Sequence, residues 1–242
     1  MLNLLNGCNK YSVYVNDIKP ILIRRYAVID LHTHSIFSDG ELIPAELARR
    51  AEVKGYRAIA ITDHVDHSNL DFIIPRIVKV CQKISSVYSI KAFPGVELTH
   101  VHPDHIFELS KEARSLGAKI IIVHGETIVE PVIPGTNLAA VKSPIDILAH
   151  PGLVSEEESR IAAENSIFLE ISTRKGHSLT NGHVLCQSRK FNVGLVLNTD
   201  SHAPGDLVDK DMARKIASGA GMTDEEIEAM FKNSEYLMNK YS

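Results

Sequence analysis

Short apolar runs rich in β-branched residues recur along the chain, and a helix-like stretch follows each run. The runs start near residues 27, 58, 90, 119, 145, 167 and 193, so the intervals between them are 22 to 32 residues. Such an interval is about the length of one strand plus one crossover helix. Because the runs are apolar on both faces, they predict parallel strands that are covered on both sides.

Helix-start patterns lie between these runs. Ser155 and Thr223 each stand three residues before a glutamate, which is the spacing of a capping box. Pro44 suits the first turn of a helix that continues to Lys54. Asp209 follows no predicted strand, and we expect a further helix to begin there. The chain therefore alternates predicted strands with predicted helices.

The alternation predicts the fold class and the domain organisation. Seven βα units in succession, with no linker between them, favour one α/β domain built as a closed or nearly closed parallel barrel. A doubly wound open sheet is the alternative that the pattern leaves open. We expect residues 27–242 to form the barrel domain, with closing helices after Ala220, and residues 1–26 to be an N-terminal extension.

The composition excludes several classes of protein. Hydrophobic residues make up 44% of the 242 residues, and no apolar run approaches the roughly 20 residues that a membrane helix needs. The net charge of −4, from 26 Lys and Arg against 30 Asp and Glu, provides no basic field for general binding to nucleic acid or anionic lipid. The three cysteines form no CxxC pair and no disulfide framework. We therefore expect a cytoplasmic protein that binds no membrane.

Polar residues stand at the C-terminal ends of six of the seven predicted strands. In a parallel barrel these ends meet on the active-site face. Gathering so many polar side chains on one face of a buried barrel is costly unless they share a task. The residues at the strand ends are His32, His34, His64, Glu97, His124, His150, Asp200 and His202.

The number and type of these residues favour a cluster of metal ions. His32 and His34 are two residues apart on a strand, so their side chains point to the same side. With Asp39 from the following loop, the set contains six histidines and three carboxylates. Nine ligands are too many for one ion with an open catalytic position, but they suit two or three ions of Zn²⁺, Mn²⁺ or Fe²⁺. Such a site attracts anions and activates water, which predicts hydrolysis of a phosphate ester.

The sixth strand offers no metal ligand, but basic residues follow it. Arg174, Lys175 and His177 would stand at the rim of the cluster, where an arginine can clamp phosphate oxygens in bidentate fashion. We therefore expect these three residues to bind substrate; the alternative is a solvated basic loop. The histidine-rich stretch 99–105 has two interpretations as well, since it could line the mouth of the site or cap the next helix.

Seven short motifs together resemble the PHP (polymerase and histidinol phosphatase) family of metal-dependent phosphoesterases. The resemblance spans residues 27–202 and is nearest to stand-alone, histidinol-phosphatase-like members. It implies a distorted seven-stranded (β/α)7 TIM-like barrel and a trinuclear metal cluster. The motifs are DLHTHS at 30–35, SDG at 38–40, TDH at 62–64, GVE at 95–97, His124, AHPG at 149–152 and DSH at 200–202.

The resemblance also implies a division of the ligands among three ions. A metal-bridging hydroxide would attack phosphorus while the ions and Arg174 stabilise the developing charge, with Glu97 and Asp200 as the other catalytic residues. Glu97 would bridge two of the ions. The implied sets are His32, His34, Glu97 and Asp200 for one ion, Glu97, His124 and His150 for the second, and Asp39, His64 and His202 for the third.

Several functions are compatible with such a site. A phosphatase for a small monoester, similar to histidinol phosphate, is the main hypothesis. A phosphodiesterase or nuclease acting on nucleotides or short oligonucleotides is the alternative; it predicts a basic, aromatic-lined groove, but the chain has no Trp and only 6% aromatic residues. An amidohydrolase-type C–N hydrolase usually carries a lysine where this chain has His124. A non-catalytic module on a decayed barrel would lack ligands, and none of the nine is missing.

Overall fold

The computed structural model describes residues 28–242, and seven parallel strands form its main sheet. The strand order is β1-β2-β4-β5-β6-β7-β8, and a short strand, β3, pairs with β4 beside this path. The predicted second strand is divided into β2 and β3 at Thr62 and Asp63. The strands are β1 (Ile29–Asp30), β2 (Ala58–Ile61), β3 (His64–Val65), β4 (Lys91–Leu98), β5 (Ile120–His124), β6 (Ile147–Ala149), β7 (Phe168–Ser172) and β8 (Leu195–Asn198).

Eight α-helices follow the strands, and the predicted helix starts are confirmed. Ser155 and Thr223 both form complete capping boxes, Pro44 is at the first helical position, and the Asp209 side chain accepts a hydrogen bond from the Met212 amide. The helices are α1 (Pro44–Val53), α2 (Leu70–Val87), α3 (Pro103–Ser115), α4 (Thr136–Val141), α5 (Glu156–Glu164), α6 (Asn181–Phe191), α7 (Lys210–Gly219) and α8 (Asp224–Lys240).

The first and last strands meet, so the barrel is nearly closed. The contact is a single parallel bridge between Thr33 and Ser201, where the His34 amide donates to the Ser201 carbonyl at 2.8 Å. Below it, the Leu31 amide donates to Oδ1 of Asn198 at 2.9 Å. The prediction of a parallel barrel is confirmed, and the open-sheet alternative is wrong. Closure directs the C-terminal ends of all the strands toward one place.

Two apolar clusters hold the barrel together. The larger one fills the space between the sheet and the helices. The smaller one joins residues of the strands to Leu237 and Met238 of α8. The predicted extension of residues 1–26, together with Ala27, lies outside the described residues. Within residues 28–242, every helix is too short or too polar to cross a membrane.

Candidate metal centre

The nine predicted ligands converge at the C-terminal ends of the strands. Six of them are buried, His64 and His202 are half-buried, and Asp39 is exposed. Their donor atoms form overlapping groups in which all the atoms of a group lie within 4.8 Å of one another. The groups that consist of predicted ligands are His32 with His34 and Glu97; His32 with His150 and Asp200; Glu97 with His124 and His150; and His34 with Asp39, His64 and His202.

The two histidines after β1 reach the same pair of carboxylates. Nε2 of His32 is 3.4 Å from Oε1 of Glu97 and 3.6 Å from Oδ1 of Asp200. Nε2 of His34 is 3.1 Å from the same Asp200 oxygen and 3.7 Å from Oε2 of Glu97. The spacing of two residues in extended chain therefore brings both imidazoles to one point, as the sequence predicts.

Glu97 also connects this point with a second group. Nε2 of His150 is 3.4 Å from Oε1 of Glu97, and the His124 ring lies 4.4 Å from the His150 ring, centroid to centroid. His150 and Asp200 have positive φ angles of 26° and 50°, which are rare for residues other than glycine. Each such conformation costs on the order of 1–3 kcal/mol and is concentrated at functional sites.

A third group forms where the loop after β1 approaches the first residue of β3 and the loop that follows β8. Oδ1 of Asp39 is 3.2 Å from Nε2 of His202 and 3.4 Å from Nε2 of His64. The loop passes so close to the preceding chain that a Cβ atom at Gly40 would lie 2.5 Å from the His34 carbonyl oxygen. Only glycine allows this approach, so Gly40 of the SDG motif helps to hold Asp39 over the two histidines.

Unsatisfied polar atoms test whether these residues fit a metal. Within residues 28–242, nine buried side-chain nitrogen or oxygen atoms lack a hydrogen-bond partner, and seven of them belong to predicted ligands. Because a buried polar atom without a partner is destabilising, their concentration in one place points to a missing lone-pair acceptor. The residues therefore fit divalent cations. The seven atoms are Nε2 of His32, Nδ1 and Nε2 of His34, Oε1 of Glu97, Nδ1 of His124, Nδ1 of His150 and Oδ1 of Asp200.

The electrostatics of the cluster favour the ligand forms of His34 and Glu97. Burial disfavours the imidazolium form of His34 and lowers its pKa to about 3, so the ring is neutral at pH 7. Burial opposes ionisation of Glu97, but the neighbouring His32 and His64 outweigh it and hold its pKa well below the usual range. A neutral imidazole and an ionised carboxylate are the forms that bind metals. Burial disfavours the imidazolium form of His32 and His64 as well, but the neighbouring carboxylates outweigh it and raise the pKa of both histidines, so a bound ion would have to displace their protons.

A cavity of about 250 Å³ opens above the cluster, and two of the three predicted substrate-binding residues line it. Nη1 of Arg174 donates to the Asp200 carbonyl at 2.9 Å and lies 2.7 Å from Nδ1 of His202. His177 is buried and stacks on His150 with a centroid distance of 4.1 Å, and burial lowers its pKa to about 4. Lys175 is exposed and is not among the residues that line the cavity.

The structure adds site residues that the sequence reasoning did not identify. Oε2 of Glu130, on the loop after β5, is 3.0 Å from Nε2 of His124, and no sequence pattern singles this residue out. Glu170 lies inside β7 with Oε2 2.8 Å from Nδ1 of His32. The sequence does contain a sign of this residue, because Glu170 is a carboxylate within the apolar run IFLEIS at 167–172. In the histidine-rich stretch both interpretations hold, since His100 lines the cavity and His102 caps α3.

Comparisons with known proteins agree with the motifs. A family model described as PHP domain matches residues 30–135. An uncharacterized protein from Methanocaldococcus jannaschii is 49% identical over 201 residues, which cover 82% of this chain and 92% of that protein. Ribonuclease P protein component 3 from Methanosarcina barkeri is 26% identical, with 87% and 88% of the two chains covered. A probable phosphatase from Thermoanaerobacter sp. is 27% identical, with 88% and 95% covered.

A solved structure supports the fold. Histidinol phosphate phosphatase from Lactococcus lactis, complexed with zinc, L-histidinol and phosphate, superposes with a TM-score of 0.60. The match covers 81% of this chain and 94% of the other, at 18% sequence identity. At that identity the similarity concerns the barrel and its topology, which agrees with the strand order described above.

Proposed function

The chain belongs to the PHP domain family of metal-dependent phosphoesterases, and we propose that it is a phosphatase that hydrolyses a small phosphate monoester at a cluster of three divalent ions. One observation carries the proposal. Seven buried atoms without hydrogen-bond partners belong to six of the nine residues that the motifs select. The cavity above these atoms has a volume of about 250 Å³, which suits a small substrate.

The proposed ligand sets are those that the family resemblance implies, and the groups in the structure support them in part. The second set is one of these groups, the third lies within the group that also contains His34, and the first adds Asp200 to the group of His32, His34 and Glu97. Zinc, manganese and iron all accept mixed imidazole and carboxylate ligands. Bound divalent ions would lower the pKa of water toward neutrality and neutralise charge on phosphoryl oxygens. The sets are His32, His34, Glu97 and Asp200 for the first ion, Glu97, His124 and His150 for the second, and Asp39, His64 and His202 for the third.

Glu97 and Asp200 have the central place in this proposal. Oε1 of Glu97 lies 3.4 Å from Nε2 of both His32 and His150, and Oε2 lies 3.7 Å from Nε2 of His34, so the carboxylate stands between the first two ligand sets and could serve two ions at once. Asp200 faces His32 and His34 with one oxygen and His177 with the other, at 3.6 Å. We infer that these two carboxylates fix the positions of the ions and thereby hold the reacting groups in the correct geometry.

Arg174 and His177 are the proposed contacts for the substrate phosphate. The Arg174 side chain lies at the wall of the cavity and is 31% exposed, so its guanidinium can reach an anion there. Arginine is suited to this task because its planar fork binds phosphate oxygens in bidentate fashion. His177 is held by Thr127 at 2.8 Å through Nδ1, which leaves Nε2 directed at the cluster. Lys175 is proposed as a weaker, long-range contribution from the rim.

A nuclease is the second candidate. One relative over most of both chains is a ribonuclease P protein component, which relates this fold to RNA. The cavity is lined by histidines, acids, Thr99 and Arg174, with no Phe, Tyr or Trp on which bases could stack. We therefore rank a small monoester above an oligonucleotide.

The test is hydrolysis by the full chain after chelator treatment and reloading with Mn²⁺ or Zn²⁺. Histidinol phosphate, an aryl phosphate monoester, an aryl phosphodiester and a short RNA are compared side by side. We expect monoester turnover that falls to background in His32→Ala and is unchanged in His67→Ala, because His67 is an exposed histidine outside the cluster. Cleavage of only the diester or RNA would overturn the monoester proposal, and fewer than one bound ion per chain would overturn the metal cluster.

A further inference from the structure

A further carboxylate lies beneath the cluster, and it is not among the nine proposed ligands. Glu170 is in the middle of β7 and has no exposed surface. Its Oε2 atom is 2.8 Å from Nδ1 of His32 and accepts a hydrogen bond from Nδ2 of Asn198 at 3.0 Å. A buried acid at this place is costly, so a specific function should compensate for it.

The contact determines which nitrogen of His32 carries the proton. An ionised carboxylate accepts hydrogen bonds and donates none, so Nδ1 of His32 must be the N–H donor. In a neutral imidazole the lone pair is then on Nε2. That atom is buried, has no hydrogen-bond partner, and lies 3.4 Å from Glu97 and 3.6 Å from Asp200. The Glu170 contact therefore directs the free lone pair of His32 into the cluster.

Asn198 fixes Glu170 at the point where the barrel closes. Its Nδ2 donates to Glu170, and its Oδ1 accepts from the Leu31 amide, one residue before His32. One side chain on β8 thus holds both the backbone at Leu31, next to His32, and the carboxylate of Glu170, which orients the His32 ring. The barrel has only a single bridge at this seam, so these hydrogen bonds replace a regular strand ladder there.

This support is particular to His32. Neither ring nitrogen of His34 has a hydrogen-bond partner within the described residues. His124 does face a carboxylate, that of Glu130, but Glu130 is 37% exposed and stands in the cavity. Nδ1 of His64 is 2.7 Å from the buried Glu97, but Glu97 is itself a proposed ligand. Among the proposed ligands in the described residues, His32 is the histidine whose far nitrogen contacts a fully buried acid outside the nine, whereas its near nitrogen faces two proposed metal ligands.

We propose that Glu170 is a positioning residue, which holds His32 in the Nδ1–H tautomer and thereby strengthens the binding of a divalent ion at His32, His34, Glu97 and Asp200. The inference rests on the proposed function, because it assumes that this group binds an ion. Carboxylates that orient a ligating histidine typically change metal affinity by about 10- to 100-fold when removed. The same loss is expected here.

The main test is the metal affinity of Glu170→Gln in the full chain, measured by competition with a chelator of known affinity for Zn²⁺ and Mn²⁺. Glutamine keeps the shape but loses the charge, and we expect the tightest ion to bind about 10- to 100-fold more weakly. Asp146→Asn is the matched control. Asp146 is likewise a buried acid, but it lies at the start of β6 and pairs with Arg114 at 2.7 Å. Its removal should leave the metal affinity unchanged.

Thermal unfolding of the chelator-treated variants separates a positioning role from a structural one. If Glu170→Gln lowers only the melting temperature, as Asp146→Asn is expected to do, and binds metal like the wild type, the proposal is wrong. If turnover is absent but metal binding still depends on Glu170, the inference stands and the proposed function fails. If the wild type hydrolyses a monoester and Glu170→Gln binds metal normally, the inference fails alone.

A second measurement needs no folded variant of Glu170. Nitrogen-15 spectra of the zinc-loaded wild-type protein report which ring nitrogen of His32 carries a proton, and the signal is assigned by its loss in His32→Asn. We expect a protonated Nδ1 and a metal-bound Nε2. A protonated Nε2 on His32 would overturn the proposal whatever the variants do.

Discussion

Loading the cluster with divalent ions should raise the stability of the fold by several kcal/mol. The perturbation is removal of all ions by a chelator, followed by titration with Zn²⁺ or Mn²⁺. In the metal-free chain seven buried ligand atoms lack partners, and each such atom costs about 1–3 kcal/mol. Ions that bind the folded cluster but not the unfolded chain would recover much of this cost.

The size of the effect follows from binding linkage. A ligand at 100 times its Kd stabilises the folded state by about 2.7 kcal/mol, so three independent ions would contribute about 8 kcal/mol. For a chain of this size each kcal/mol raises Tm by about 2–4 °C, which gives about 5–11 °C for one ion and about 16–32 °C for three. The shift of about 5–11 °C requires only that one of the proposed ligand sets binds an ion.

Differential scanning calorimetry during the titration measures this shift. His67→Ala, which removes an exposed histidine, should show the same shift as the wild type. His34→Ala should lose at least the share of the first ion, about 5–11 °C, because His34 belongs to that ligand set and approaches both Glu97 and Asp200. A Tm that rises by less than about 2 °C with saturating Zn²⁺ and Mn²⁺ would refute the reasoning, since even one ion should exceed it.

Three further predictions concern the loop, the rim and a helix end. Gly40→Ala should displace the loop that carries Asp39, because the new Cβ would lie 2.5 Å from the His34 carbonyl, and metal analysis should find one ion fewer per chain. Arg174→Ala should lower kcat/KM for a monoester by about 10- to 100-fold. This loss corresponds to the roughly 1.5–3 kcal/mol that a hydrogen bond to a charged group contributes. Thr223→Ala should cost about 1 kcal/mol in urea unfolding, without a change in kcat, because it removes the cap of α8 far from the cluster.

Each of these predictions has a control and a contrary result. For Gly40→Ala the control is Gly205→Ala, where an added Cβ meets nothing within 4 Å, and full ion content in both would contradict the argument. For Arg174→Ala the control is Lys175→Ala, on the exposed neighbour, and equal losses of activity would show a general charge effect instead. For Thr223→Ala, a loss of turnover at unchanged stability would contradict a purely structural cap.

Much of this protein is determined by local sequence patterns. The capping boxes at Ser155 and Thr223 act within four residues, so they can be identified without knowledge of the fold. The buried strands appear as apolar runs because each is covered on both faces. The polar strand ends are identifiable for the same reason, since His32, His34 and Asp200 interrupt a pattern that burial alone would keep apolar.

Only the tertiary structure decided how these residues combine. Which carboxylate approaches which histidine depends on strands that are distant in sequence, as with Glu97, His150 and Asp200, and on backbone angles that no residue pattern encodes. The barrel closes through Asn198 and a single bridge rather than a ladder. Glu170 could be seen in the sequence as an acid in an apolar strand, but its partner His32 is 138 residues away. The local pattern of apolar residues shows which positions are buried, whereas the contacts between side chains of distant strands depend on closure of the whole barrel.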